Sequence, residues 1–210
     1  MSNSIKIVMK DLSIVREGVD YFEKYSVNNF SSEFMANADG GVYSVTAEET
    51  QNADDLFKVL CGIKNQKSGS YSIKLDAGGD CSKVIFIPAI NSSIPWLNVV
   101  DNIKLCGKGN LGLPDNILLQ QALLLAGLEG YEKHIPHRKS VGFRIRIAIA
   151  RALSFAPKVL FIADFLSKVD NQTKQELLDI LETISKEMKI AIFISTPQNV
   201  SINSKGSFKL

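Results

Sequence analysis

The stretch IPHRKSVGFRIRIAIARALSFAPKVLFI, residues 135–162, carries the reading of the fold. From Val141 to Leu153 apolar residues keep helical spacing, and Arg144, Arg146 and Arg151 stand between Ile145, Ile147 and Ile149. A strongly patterned helix is expected there. Lys158–Ile162 follows as a continuous apolar run, which suits a strand buried on both faces of a parallel sheet.

Working outward, Gln172–Met188 reads as an amphipathic helix with Leu177, Leu178, Leu181 and Ile184 on one side, and Ile190–Ile194 as a second buried strand. Upstream, Ser4–Val15 alternates apolar and polar residues like a half-exposed strand, and Tyr25–Ala36 reads as another. Asp39-Gly40-Gly41 is a turn signal before a short strand, Val42–Thr46. Ala53–Leu60 has helical spacing and Gly62 stops it; Lys67–Ser72 is turn-rich; Val84–Ile87 is a short strand; Leu97–Leu105 and Asn116–Leu128 are helices. Strands alternating with helices imply a right-handed α/β core.

Composition narrows the function classes. With 210 residues, 45% hydrophobic and 22% charged, the chain suits one domain with a real core. A net charge of +2, without a basic stripe, argues against nucleic acid. Three cysteines, Cys61, Cys81 and Cys106, with no CxxC spacing indicate neither a disulfide framework nor a zinc site, and fit a reducing, cytoplasmic setting. The start lacks a signal-peptide core, and no apolar run approaches the roughly 20 residues that span a bilayer. No direct membrane insertion is expected.

The segment Ile147–Leu153, IAIARAL, followed by a Pro-Lys-Val-Leu strand, resembles the signature helix and Walker B strand of ABC-transporter ATPases. IPWLNVVDNIKL, residues 94–105, is similar to the Leu-Pro-Trp-Leu-Thr-Val-x-Asp-Asn stretch of the nitrate, sulfonate and taurine importer branch, and AGLEGYEKHIPH fits that branch too. The resemblance runs from about Gly40 to Thr196. It implies an α/β fold of the P-loop NTPase-like ABC ATPase type, with a mostly parallel core sheet, N-terminal antiparallel strands and a helical subdomain. The expected division is one domain: a β lobe and half the core in 1–87, a helical subdomain in 88–146, and the rest of the core, shortened at its end, in 147–210.

The resemblance also marks where ATP chemistry would sit, and there the residues differ. A P-loop, G-x-x-x-x-G-K-[ST], wraps backbone N–H groups around phosphates, adds a lysine, and places a hydroxyl on Mg²⁺. Here the aligned residues are Ala47-Glu48-Glu49-Thr50-Gln51-Asn52-Ala53-Asp54, with Ala53 at the lysine position and Asp54 at the hydroxyl position. Glu48, Glu49, Asp54 and Asp55 would put up to four negative charges beside a triphosphate. Two like-charge pairs at about 4 Å cost about 4 kcal/mol each at an effective dielectric of 20, enough to cancel a micromolar affinity of about 8 kcal/mol. The Walker B carboxylate pair aligns with Ala163-Asp164, the switch histidine with Thr196, and the Q-loop glutamine falls in Ile87-Pro88-Ala89. A catalytically inactive homologue is expected, with no metal and no nucleotide at its own P-loop position. Asp164 acting as the base of an unusual ATPase is a minor alternative.

Other family features persist in outline. Ser140 and Gly142 fall at the start of the signature helix, where they either face a partner's ATP or simply cap a helix. Ser167 to Asp170 keeps the outline of a dimer-facing D-loop. Pro95, Trp96 and Leu97 read either as a docking surface for a permease or as a contact between lobes. Gly107 to Gly112 spells G-x-G-x-x-G, but a helix rather than a strand precedes it, so an interhelical loop is expected. His134 and His137 lack the companions of a metal set. The arginines of 144–151 read as a solvated face paired with acids. The resemblance implies pairing with an ABC ATPase-type subunit, as homo- or heterodimer, or docking on a transmembrane permease, at the cytoplasmic face of a membrane. The alternative is a free-standing scaffold that reuses the fold.

Overall fold

The computed structural model describes residues 4–16, 24–75, 83–89, 93–107, 115–198 and 202–210. In chain order its elements are β1 (Ser4–Val15), β2 (Tyr25–Asn37), β3 (Gly41–Ala47), α1 (Thr50–Leu60), β4 (Ser68–Leu75), β5 (Val84–Ile87), α2 (Val99–Gly107), α3 (Asp115–Leu125), α4 (Val141–Leu153), β6 (Val159–Ile162), α5 (Asn171–Met188), β7 (Ala191–Pro197) and β8 (Gly206–Lys209). One-turn 3-10 helices at Pro136–Arg138 and Leu166–Lys168 lead into α4 and α5.

Two sheets result. β2, β1 and β4 form an antiparallel sheet in that order. The other sheet runs β5-β6-β7-β3-β8, and each of its pairings is parallel. Strand pleating explains the continuous apolar runs. Leu160, Ile162, Ile192 and Ile194 point to the face covered by α2 to α5. Val159, Phe161, Ala191 and Phe193 point to the face shared with α1 and the antiparallel sheet. Both faces are therefore buried, as the sequence implies for a parallel core.

One reading of the sequence needs correction. Lys67–Ser72, read as turn-rich, is mostly strand: β4 pairs with β1 from Ile5–Leu75 to Ser13–Ser68. Its glycine content has a local cause. Gly69 has φ +83, and a side chain there would meet the Asp11 carbonyl, so the close backbone approach at the β1 irregularity requires glycine. A further element, β8, is one that sequence periodicity does not announce. It is held by Phe208, whose ring stacks on Phe34 at 4.3 Å and sits 6.0 Å from Phe193.

Helix boundaries move by one to three residues. α1 begins at Thr50 rather than Ala53, and ends where predicted, at Gly62 with φ +68. α2 begins at Val99, because residues 94–98 form a turn held by Asn102. α3 ends at Leu125, before Gly127 with φ +64.

Candidate functional site

The carboxyl ends of β3, β6 and β7 converge where open α/β sheets hold ligands. The connection from β3 to α1 is two residues long, Glu48 and Glu49. α1 therefore starts within the stretch 47–54 that the sequence resemblance aligns with a phosphate loop. Ala53 is fully buried and belongs to the core between α1 and the two sheets, so its Cβ points into packing rather than toward a ligand.

Polar groups around this junction bond to one another. Arg16, at the end of β1, donates from Nη2 to Glu49 Oε2 at 2.5 Å and to Asn52 Oδ1 at 2.7 Å. Lys24 stands 3.8 Å from the same carboxylate. The Arg16 hydrogen bond and charge, with Lys24, hold the Glu49 carboxyl below its usual range. Asp55 faces the other way. It is 2% exposed and takes Ser26 Oγ at 2.5 Å, Lys64 Nζ at 3.0 Å and Lys58 Nζ at 3.2 Å. Burial pushes its pKa up, but Ser26 and the two ammonium groups outweigh this and leave it below the ordinary value. Glu49 and Asp55 thus carry their own counter-charges. The four-carboxylate repulsion expected from the sequence is not how the charges are arranged.

Asp54 stays at the crevice. Its Oδ1 accepts from Ser195 Oγ at 2.6 Å, joining α1 to β7. Burial raises its pKa, partly offset by the Ser195 hydroxyl, by Lys58 and by the backbone N–H of Asp164. Asp164 is 5% exposed, and its own carboxylate accepts from the Ser167 N–H at 3.1 Å. Ala163 is buried, its N–H on the Ile87 carbonyl. Thr196 is fully buried, and its Oγ1 finds no hydrogen-bond partner among the described residues. Among those residues no group of three His, Cys, Asp or Glu is placed to hold a metal ion.

The remaining candidates separate by surface. Ser140 caps α4, accepting from the Phe143 N–H at 3.2 Å. Gly142 is buried, and a Cβ there would lie 2.4 Å from Thr173 Cγ2 on α5, so the close approach of the two helix starts excludes a side chain. Phe143 packs edge-on against Tyr131, with centroids 5.5 Å apart. Asp170 caps α5, accepting from the Thr173 N–H at 2.9 Å and from its hydroxyl at 2.7 Å, which lowers its pKa. Ser167 is exposed.

Pro95 and Trp96 are exposed, Trp96 at 76%, and Leu97 is half-buried. The reading of Trp96 as a buried lobe contact is therefore overturned. Asn102, which sequence reading passed over, fixes this turn. It is fully buried, accepts from the Ile94 N–H at 2.8 Å, and reaches the carbonyls of Ile94, Leu97 and Asn98. The neighbouring segment is tied in through the Val99 N–H on the His134 carbonyl, and it adds exposed Tyr131 and Ile135.

Of the arginines, Arg146 pairs with Glu176 at 2.8 Å. Gly107 ends α2, and the rest of the glycine motif lies outside the described residues, as does Cys81. Burial pushes the Cys61 thiol up to about 12, which makes it a packing residue rather than a nucleophile. No helix among the described residues is long and apolar enough to cross a membrane.

A parallel sheet with α1 and an antiparallel sheet on one face and four helices on the other is the fold of the ABC ATPases. The dimeric, post-hydrolysis ATP-binding cassette MJ0796 bound to ADP and Pi superposes with a TM-score of 0.70 at 17% identity, over 90% of this chain and 87% of that one. Curated relatives agree. The chain is 27% identical to the methionine import ATP-binding protein MetN of Clostridium tetani over 173 residues, 76% of this chain and 54% of that protein. It is 27% identical to the aliphatic sulfonates import ATP-binding protein SsuB of Bacillus subtilis over 199 residues, 92% of this chain and 73% of that protein. The homologues are thus ATP-binding subunits of ABC transporters. The chain spans about half the length of the first curated relatives it matches. No family model matches it.

Proposed function

We propose that this chain is a non-hydrolysing member of the ABC ATPase group, which lends its frame to a transporter without turning over ATP. One observation carries the reading: two residues, not a loop, join β3 to α1. A triphosphate is held by successive backbone N–H groups of a curled connection, and a connection of this length has few to offer. The first turn of α1 still begins with a partial positive charge, but its N-cap residue is Glu49, whose carboxylate makes no bond to the helix and is clasped by Arg16. A phosphate entering here meets that negative charge, and Ala53 supplies no cation in exchange.

The useful part of the molecule is then its surface. The exposed Trp96, with exposed Tyr131 and Ile135 on the segment bonded to the start of α2, supports docking on a membrane permease, and the helix starts at Ser140 and Asp170 support pairing with an active ABC ATPase. The test is calorimetric titration of the purified chain with Mg-ATP. No heat is expected up to millimolar nucleotide, and micromolar binding ends this reading. Recovery from native membranes supplies the partner: a permease or an ABC ATPase is expected, with recovery reduced for the W96A variant.

A further inference from the structure

We propose that the groove between α3 and α5 binds a basic amphipathic helix of a second protein. The groove has a volume of about 610 Å³. Its α3 wall is aliphatic: Leu124 is 57% exposed and Leu125 half-buried. Its α5 wall carries Ile180 between Asp179 and Glu187. The floor cation, Arg146, is already paired with Glu176 at 2.8 Å. Gly127 is what admits that guanidinium, since a Cβ there would lie 2.6 Å from Arg146 Nη1. Asp179 takes only an amide of Gln175, and among the described residues no cation pairs with Asp179 or Glu187.

These features select the occupant. Asp179 and Glu187 are eight residues apart on one helix, about 12 Å along its axis, or roughly two helical turns. That separation is too great for two carboxylates to share a metal ion. The acidic wall repels phosphates, which disfavours nucleic acid and anionic lipid. What fits is a helix that lays aliphatic side chains on Leu124, Leu125 and Ile180 and sets lysines or arginines against the acids. The groove lies on the C-terminal half of α5, which leads into the start of β7. The crevice at Asp54 and Ser195 lies at the opposite end of the strands, so the proposal stands or falls independently of nucleotide binding.

The probe is a fluorescently labelled leucine–lysine amphipathic peptide, with its leucine–glutamate counterpart as control, followed by anisotropy and by backbone amide shifts. The lysine peptide is expected to bind, to shift amides of α3 and of Asp179–Glu187, and to weaken with salt. The D179K/E187K variant should lose about tenfold or more in affinity, as should L124D. All three positions are exposed, so an unchanged melting curve verifies that the variants fold. Several results overturn the proposal: no binding, equal binding to D179K/E187K, shifts confined to the Trp96 surface, or sedimentation showing a dimer of this chain that D179K/E187K dissociates.

Discussion

Gly142→Ala separates a packing role for this glycine from a ligand role. Gly142 is the second residue of α4, and its ideal Cβ would lie 2.4 Å from Thr173 Cγ2. Carbon atoms rest at about 3.5–4.0 Å, so the contact falls short by more than about 1 Å. Relieving it means moving the start of α4 off α5, and overpacking of this kind costs about 1–3 kcal/mol. Alanine recovers part of this through helix propensity, worth up to about 1 kcal/mol in a helix interior and less at an end. The net expectation is a loss of about 1–2 kcal/mol. Thr173→Ser should restore it. Serine keeps the hydroxyl that bonds Asp170 Oδ2 at 2.7 Å and removes the clashing methyl, leaving Thr173 Cβ, 3.9 Å from the added carbon, as the nearest atom. Urea unfolding followed by circular dichroism on the wild type, both single variants and G142A/T173S closes a double-mutant cycle, with a coupling of at least about 1 kcal/mol expected. A neutral G142A, or a G142A defect that T173S leaves in place, would refute the packing account. The glycine would then have to be explained by what approaches it from another molecule.

Four further outcomes follow from the same geometry. D55A should lose about 3 kcal/mol in urea unfolding, because it strands Lys64 and Lys58 beside a buried Ser26. Since Asp55 titrates below its ordinary 3.8, that stability is present above pH 3.8 and disappears as pH falls through the lower folded value, where wild type and D55N should converge. Asp54 has the opposite sign: its pKa is raised, so its contribution is complete below 3.8 and is lost as pH rises through the folded value. D54N, still able to accept from Ser195, should gain on wild type in melts taken from acid to neutral pH; a wild type that gains instead would contradict the assignment. N102A should lose about 2 kcal/mol by freeing the turn's buried backbone groups. A53K, which puts a lysine where the resemblance places that of a P-loop, should destabilise the fold by about 3 kcal/mol or more and create no Mg-ATP binding, since Ala53 is fully buried in the core.

The parts of the fold that were legible in sequence are those whose burial is written into local periodicity. α4 and β6 are such a case: helical spacing gives way to a fully apolar run, and the structure uses each as read. β4 hid because Ser68-Gly69-Ser70 carries turn chemistry, and its stability comes from pairing with β1, distant in sequence. β8 hid because its anchor, Phe208 on Phe34, is a contact no local pattern contains. Asn102 went unnoticed for a related reason. A buried asparagine inside an apolar helix reads as a blemish until the turn it satisfies is seen.

The carboxylates of the strand-to-helix junction show where counting charges departs from physics. Asp54 and Asp55 are consecutive, but successive helical residues point about 100° apart, so one faces β7 and the other the antiparallel sheet. Glu49, before the helix, is taken by Arg16. Each carboxylate therefore ties α1 to a different element: Glu49 to the end of β1, Asp54 to β7, Asp55 to β2 and to Lys64. Buried polar groups must find partners, and in a nucleotide-binding loop the ligand supplies many of them. On the proposed reading, side chains of the chain itself fill those roles: the short link leaves little of a cradle, and the three ties stand in for what a cradle would hold. For that reason the frame is expected to stay folded without any ligand, and a search for its role belongs on its outer surfaces.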